Sequence, residues 1–129
     1  MAKRSRRQPG NVELAILRVL WDRGPSSVRQ VHQALSGERD TGYTSTLKMM
    51  QVMFDKRLLR RNESRRPQLY AAAVAEEQVQ KGMLADLVRR AFGGSARTLV
   101  MRAIESDIVT PKELAEIRKL LANLDGGKS

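Results

Sequence analysis

The chain has 129 residues, contains no cysteine and carries a formal net charge of +10. This length fits one domain or two small ones. The absence of cysteine excludes a disulfide framework and a thiolate metal site. No apolar run approaches the roughly 20 residues that a membrane span requires, so we expect a cytoplasmic protein without membrane insertion.

The positive charge is concentrated in the first part of the chain. Residues 1–72 hold 15 Lys and Arg against 6 Asp and Glu, whereas residues 73–129 hold 9 against 8. A basic excess of this kind attracts a polyanion, so we expect residues 1–72 to bind double-stranded nucleic acid. The nearly neutral remainder is expected to have a different role. Residues 1–10 are predicted to form a disordered basic arm, either a solvated tail or a source of extra phosphate contacts.

Two short helices are predicted after the arm. The first covers residues 12–23, with Asn11 as its cap and Gly24-Pro25 as its end. Ser27 starts the second helix, and Gln30 completes a capping box. The predicted inward residues of the two helices are Leu14, Leu17, Leu20 and Trp21 in the first, and Val28, Val31 and Leu35 in the second.

Residues 42–72 are predicted to form a longer helix that leads into a two-stranded β-ribbon with an arginine-rich turn. The inward face of this helix is predicted, from spacings of three and four residues, to hold Leu47, Met50, Phe54 and Leu58. The outer face is predicted to hold Ser45, Lys48, Met49 and Val52, with Thr44 beside them. Two helices, a longer helix and a hairpin in this order predict a winged helix-turn-helix within residues 11–73.

Residues 74–125 are predicted to be entirely helical. Gly93-Gly94 ends one helix, Ser95 starts the next, and Thr110 with Glu113 caps the last. These helices carry more apolar surface than so short a segment easily buries on itself, which favours a homodimer. Internal packing of the same side chains is the alternative. The predicted dimerisation residues are Leu84, Leu87, Phe92, Leu99, Val100, Ile104, Leu114, Ile117, Leu120, Leu121 and Leu124.

The predicted DNA contacts come from the two helices of the helix-turn-helix and from the ribbon turn, or wing. A helix of this kind enters the major groove with its N-terminal turns, and the wing touches the backbone beside it. Met49 would offer an apolar contact to a thymine methyl group. The predicted contact residues are Ser27, Arg29, Tyr43, Thr44, Ser45, Thr46, Lys48, Met49, Arg65 and Arg66, with Gln51 as a weaker candidate.

Two of these assignments leave alternatives open. Tyr43 either donates to a phosphate or packs under the wing. Arg60 and Arg61 point to opposite faces of a strand, so at most one of them is expected to face DNA.

The single histidine, His32, is predicted to have a surface or helix-packing role, because one imidazole without partners does not make a metal site. We expect no catalytic residues, no metal and no cofactor.

Three stretches of the chain resemble the BlaI/MecI/CopY family of penicillinase and copper-type repressors. They are ELAILRVLWDRGPSSVRQVHQAL at 13–35, YTSTLKMMQVMFDKRLLRR at 43–61 and FGGSARTLV at 92–100. The resemblance implies a homodimeric repressor that binds an inverted repeat of TACA/TGTA type. It also implies relief of repression by a stress or antibiotic signal, through a membrane-bound sensor protease and cleavage in the C-terminal half.

The chain departs from the family pattern in two places. The penicillinase branch is cleaved between Asn and Phe, and the matching positions here are Arg102 and Ala103. Either the cleavage rule differs in this chain, or its repression is relieved by other means, such as a small ligand. The copper branch uses a cysteine-rich tail that this chain lacks, which excludes copper sensing by that route.

The alternative function is a winged-helix adaptor that contacts proteins without sequence-specific DNA binding. An enzyme is disfavoured, because no Ser/His/Asp set, paired carboxylates or Gly-rich phosphate loop is present.

Overall fold

The computed structural model describes residues 8–36 and 42–128, and side chains as far as Asp125. Residues 1–7 of the predicted basic arm (1–10) and residues 37–41 lie outside this range. The elements in chain order are α1 (Asn11–Arg23), α2 (Val28–Leu35), α3 (Tyr43–Asp55), β1 (Leu59–Asn62), β2 (Leu69–Ala72), α4 (Glu76–Ala91), α5 (Ala96–Glu105) and α6 (Pro111–Lys128). This order confirms the predicted fold class, a mainly helical chain with a winged helix-turn-helix.

Helix α1 begins one residue earlier than predicted, with Gly10 rather than Asn11 as its N-cap. The Gly10 N–H donates to the Glu13 carboxylate over 3.1 Å, so an acidic side chain in the first turn satisfies a backbone donor outside the helix. The predicted capping box of α2 is confirmed. The Gln30 N–H donates to the Ser27 hydroxyl over 3.1 Å, and the Ser27 N–H donates to the Gln30 side chain over 2.9 Å.

The core of the winged helix is formed where α1, α2 and α3 pack with the ribbon. The buried apolar residues are Ile16, Leu17, Leu20, Val28, Val31, Leu35, Met50, Met53, Leu59 and Tyr70. Leu14 and Trp21, predicted to point inward, are only half-buried. Burial of this apolar surface is the main term that stabilises the unit.

The inner face of α3 is the predicted one in part, because Met50 is buried and Leu47 and Phe54 are partly buried against the core. Its buried residues are Thr46, Met50 and Met53, which also follow a spacing of four and three. Leu58 lies beyond the helix, because the chain turns out of it at Arg57, which has a φ of 68°. Thr46, which was predicted to contact DNA, therefore lies in the core.

The ribbon is an antiparallel pair in which Leu59 is opposite Ala72 and Arg61 is opposite Tyr70. It is also joined to the turn between α1 and α2. The Ser26 N–H donates to the Tyr70 carbonyl over 2.9 Å, and the Tyr70 N–H donates to the Ser26 carbonyl over 2.8 Å. These two bonds fix the base of the wing against the helix-turn-helix.

The described part of the chain forms two compact units, which divide between Met83 and Leu84. The first unit extends past Ala73, where the sequence predicted its end. One reason is that the indole N–H of Trp21 donates to the carbonyl of Val74 over 3.0 Å, which ties the segment after the wing to α1. By the division into units, the part of α4 that ends at Met83 lies in the same unit as the winged helix.

The helices of the C-terminal part begin and end as predicted. Gly93 and Gly94, with φ of 59° and 87°, end α4 in a conformation that favours glycine. The Ser95 hydroxyl accepts from the Thr98 N–H over 3.0 Å, and the Thr110 hydroxyl accepts from the Glu113 N–H over 3.1 Å. Among the helices of residues 8–36 and 42–128, none is long and apolar enough to cross a lipid bilayer.

Candidate nucleic-acid interface

The N-terminal turns of α3 present short polar side chains to solvent. Thr44, Ser45 and Lys48 are exposed, and so is Gln51 one turn further along. None of these four makes a side-chain hydrogen bond or ion pair with another described residue. Their hydroxyl, ammonium and amide groups therefore remain available to a partner in the groove of a duplex.

Thr46 does not share this surface, which corrects its predicted role as a DNA contact. The residue is 2% exposed. Its hydroxyl oxygen lies 3.1 Å from Nδ1 of His32, and the hydroxyl donates to the carbonyl of Gly42 over 3.4 Å. Thr46 thus joins α3 to α2, and His32 has the predicted helix-packing role.

Met49 is also placed differently from the prediction. It was expected to face outward, but it is half-buried and packs against the core. Met53, one turn further along the helix, is completely buried. The exposed apolar side chain on this part of α3 is instead Val52, which has the methyl groups that an apolar contact to thymine would need.

Helix α2 contributes one exposed cation beside α3. Ser27 is 6% exposed and its hydroxyl accepts from the Gln30 N–H, so this side chain is engaged within the protein, and the phosphate contact at the start of α2 stays a prediction. Arg29 is exposed, and its guanidinium lies 5.4 Å from the centroid of the Tyr43 ring. This contact aligns a cation of α2 with the first residue of α3.

Tyr43 packs against α2 and not under the wing. Its ring meets the ring of His32 edge to face, with centroids 5.8 Å apart and an interplanar angle of 86°. Tyr43 is nevertheless 40% exposed. The structure therefore places the Tyr43 ring against α2, and the phosphate contact of this residue stays a prediction.

The wing turn presents Arg65 and Arg66 to solvent. Its backbone is shaped by Asn62, whose side-chain oxygen accepts from the N–H of Ser64 over 3.0 Å and from its hydroxyl over 2.7 Å. Arg66 also donates to the carbonyl of Glu63 over 3.3 Å. Arg65 has no ion pair with any described residue, so its full charge is directed to solvent.

The two arginines of β1 differ sharply in environment. Arg60 is exposed. The Arg61 guanidinium lies 3.9 Å from the centroid of the Phe54 ring, and its Nε donates to the Glu63 carboxylate over 2.9 Å. The Tyr70 hydroxyl and the Glu63 carboxylate favour the charged guanidinium and raise the pKa of Arg61 above its ordinary value. Of these two side chains, only Arg60 faces outward toward a partner, as the alternation along a strand predicted.

The predicted dimerisation residues lie mostly at the surface of the single chain. No residue of α4 or α5 is buried. Phe92, Leu99 and Leu114 are half-buried. The remaining ones are 40–58% exposed, and they are Leu84, Leu87, Val100, Ile104, Ile117, Leu120, Leu121 and Leu124.

The positions that match the family cleavage site lie within α5. Arg102 is exposed and pairs with Glu105 over 2.9 Å, whereas Ala103 is half-buried. Among residues 8–36 and 42–128, no three His, Asp or Glu side chains are grouped closely enough to hold a metal ion.

Comparison with known proteins agrees with the resemblance seen in the sequence. A family model described as the penicillinase repressor matches residues 9–123. The transcriptional regulator BlaI of Mycobacterium tuberculosis is 33% identical over 120 residues, which cover 92% of this chain and 86% of that protein. The penicillinase repressor of Staphylococcus aureus is 15% identical over 112 residues, or 87% of this chain and 89% of its own. The chain therefore belongs to the penicillinase repressor family of transcriptional regulators.

Proposed function

We propose that this protein is a homodimeric repressor that binds an inverted repeat of TACA/TGTA type. The observation that carries the proposal is the free polar surface at the start of α3, where Thr44, Ser45 and Lys48 are exposed, together with the exposed arginines of the wing turn. Base edges in the major groove offer donors and acceptors to such side chains. The basic excess of residues 1–72 supplies the attraction to phosphate.

Each part of the surface has a separate task. Thr44, Ser45 and Lys48 read base edges, and Val52 replaces Met49 as the apolar contact. Arg29 and Tyr43 hold the backbone at the start of the helix, and the wing holds it on the other side. Phosphate contacts position the protein, whereas base contacts give it sequence preference.

The C-terminal helices join two copies of the chain. Leu120, Leu121 and Leu124 of α6 are all more than half exposed, and burying such side chains against a partner yields roughly 25 cal/mol per Å² of apolar area. A second copy carries the same apolar residues on the same helices, so a two-fold interface is self-complementary. Two linked winged helices then bind two half-sites with higher avidity than either binds alone.

Release from DNA acts through the same helices. A stress or antibiotic signal leads to cleavage in α5 at or near Arg102-Ala103, by a membrane-bound sensor protease. Such a cut separates α6 from the winged helix and removes its leucines from the dimer. Incubating the purified repressor with membranes from induced cells tests this, because mass spectrometry of the fragments identifies the bond. Intact protein that leaves DNA on induction would contradict the proteolytic route.

The binding itself is tested with two duplexes, one carrying the inverted repeat and one with the same bases scrambled. Fluorescence anisotropy at several salt concentrations should show preference for the repeat and a steep fall of affinity with salt. Sedimentation should show two chains per duplex. Equal binding to both duplexes, together with capture of an acidic protein, would favour the adaptor.

A further inference from the structure

Arg61 is a wing residue whose charged group turns back toward the recognition helix α3. Its guanidinium stacks on Phe54 at 3.9 Å, near the C-terminal end of that helix. Its carboxylate partner, Glu63, is two residues further along the chain. The Arg61 side chain is only 22% exposed, compared with 56% for Glu63. An arginine so engaged has little charge left for an outside phosphate.

Glu63 continues the connection into the wing turn. Its carboxylate holds Arg61, and its backbone carbonyl accepts a hydrogen bond from Arg66 over 3.3 Å. The contacts therefore run from Phe54 through Arg61 and Glu63 to Arg66. On the other side, Arg61 is opposite Tyr70, which is bonded to the helix-turn-helix at Ser26. Arg61 lies where the recognition helix, the ribbon and the wing turn meet.

We propose that Arg61 is a positioning residue that fixes the wing turn against α3, and that it does not itself contact DNA. Guanidinium is suited to this task, because its plane stacks on an aromatic ring while its N–H groups bind a carboxylate. Lysine carries the same charge, but its ammonium group has no planar surface that can stack on a ring. Where it concerns DNA, this inference rests on the proposed function, since the wing and α3 must reach the duplex together.

The first test needs no DNA. Backbone amide hydrogen exchange of the full chain is measured for the wild type, Arg61→Met, Glu63→Gln and the matched control Arg60→Met. We expect faster exchange in the wing turn, residues 63–68, for Arg61→Met and Glu63→Gln only. Glu63→Gln provides a second variant in case Arg61→Met does not fold, because Glu63 is largely exposed and its substitution should leave the fold intact. Unchanged exchange in both variants would overturn the proposal, whether or not the protein binds the duplexes.

The second test separates positioning from direct contact. Affinity for the inverted-repeat duplex is measured against salt for Arg61→Lys and Arg61→Met. A positioning role predicts that both variants bind about fivefold to tenfold more weakly and keep the wild-type salt slope. A phosphate contact predicts that Arg61→Lys binds normally, while Arg61→Met has a slope lower by about 0.9 for each phosphate it no longer neutralises; that pattern would refute positioning.

Glu63→Gln should change the affinity for the duplex in opposite directions, depending on whether Glu63 acts only through its charge or by holding Arg61 in place. It removes a negative charge near the duplex, so electrostatics alone predicts tighter binding. If Glu63 holds Arg61 and the wing in place, binding weakens instead, and that is the result we expect. A gain in affinity would contradict the proposal. If the wild type bound the repeat no better than the scrambled duplex, the proposed function would fail while the exchange result still decided the role of Arg61.

Discussion

The hydroxyl oxygen of Thr46 lies 3.1 Å from Nδ1 of His32, and this contact joins the two helices of the helix-turn-helix. Thr46 is buried between exposed neighbours, Ser45 and Lys48 being at the surface on the same turn. The pair therefore holds α3 in the rotation that presents its outer side chains to solvent. A substitution at Thr46 should therefore lower the stability of the fold, and any effect on DNA binding should follow from that.

Thr46→Val should lower the free energy of unfolding by about 1 kcal/mol. Valine fills the same space but leaves the His32 nitrogen without its partner, and His32 is only half-buried, so water offsets part of the effect. Thr44→Val is the matched control, since Thr44 is exposed and should change stability by less than about 0.5 kcal/mol. Urea denaturation measures both. Equal effects at the two positions would mean that the buried contact contributes no stability.

Glu13→Gln should reduce stability at neutral pH and matter less in acid. Partial burial raises the pKa of Glu13, but the Gly10 N–H and Lys56, 3.0 Å away, outweigh it and hold the pKa below its usual 4.5. A carboxylate with a lowered pKa contributes stability above about pH 4.5, and the contribution is lost as the pH falls through the folded value.

The expected difference for Glu13→Gln at pH 7 is about 0.2–1 kcal/mol, because Lys56 is exposed and solvent weakens the pair. Glutamine keeps an oxygen that accepts from the Gly10 N–H, so the variant isolates the charge. Denaturation at pH 7 and pH 3 gives the comparison. A difference between wild type and variant that is as large at pH 3 as at pH 7 would show that charge is not the cause.

Lys48→Ala should weaken binding to the inverted repeat and relax base preference. Removing one hydrogen bond to a base edge costs about 1–3 kcal/mol of discrimination. Thr44→Ala should act in the same direction. Lys119→Ala in α6 is the charge-matched control and should leave sequence preference unchanged. Selection of preferred sites from random duplexes by each variant measures the effect; an unaltered preference for Lys48→Ala would show that this residue does not read bases.

Arg65→Ala should weaken binding to all duplexes by a similar factor. Arg65 is exposed in the wing turn without an ion pair among the described residues, so it is suited to phosphate and not to one base. The slope of affinity against salt should flatten by about 0.9 for each phosphate that a protomer no longer neutralises. Anisotropy titrations at four salt concentrations are sufficient. A changed base preference with an unchanged slope would mean that the wing reads sequence.

Leu120→Glu should shift the protein toward monomer. Leu120 is 58% exposed in the single chain, so the substitution should not harm the fold of a protomer, but it places a charge where an apolar partner surface is needed. Lys119→Glu, next to it on α6, is the control. Sedimentation over a range of concentrations distinguishes them. If Leu120→Glu dimerised as well as the control, α6 would not lie in the interface.

Local rules were enough to place most of the fold. Capping boxes at Ser27 and Thr110, glycines after α4, and apolar spacing identified the helices, because these signals act within one or two turns of chain. The exposed contact candidates Thr44, Lys48 and Arg65 followed from the same patterns. Sequence also determined the family, since three ordered motifs span most of the chain.

Tertiary packing decided what spacing left ambiguous. Two stripes of α3 had suitable periods, and only the approach of α2 and the ribbon selected the one with Thr46 inside. Arg61 turns inward because Phe54, Glu63 and Tyr70 lie around it. The alternation of side chains along a strand does not predict which residues these neighbours are. The hydroxyl of Ser27 was used by its own helix. In each case a side chain able to bind DNA has a partner within the protein. For the buried Thr46 and Ser27 hydroxyls an internal hydrogen bond is needed because water does not reach them, whereas Arg61 is held by its ring and carboxylate neighbours.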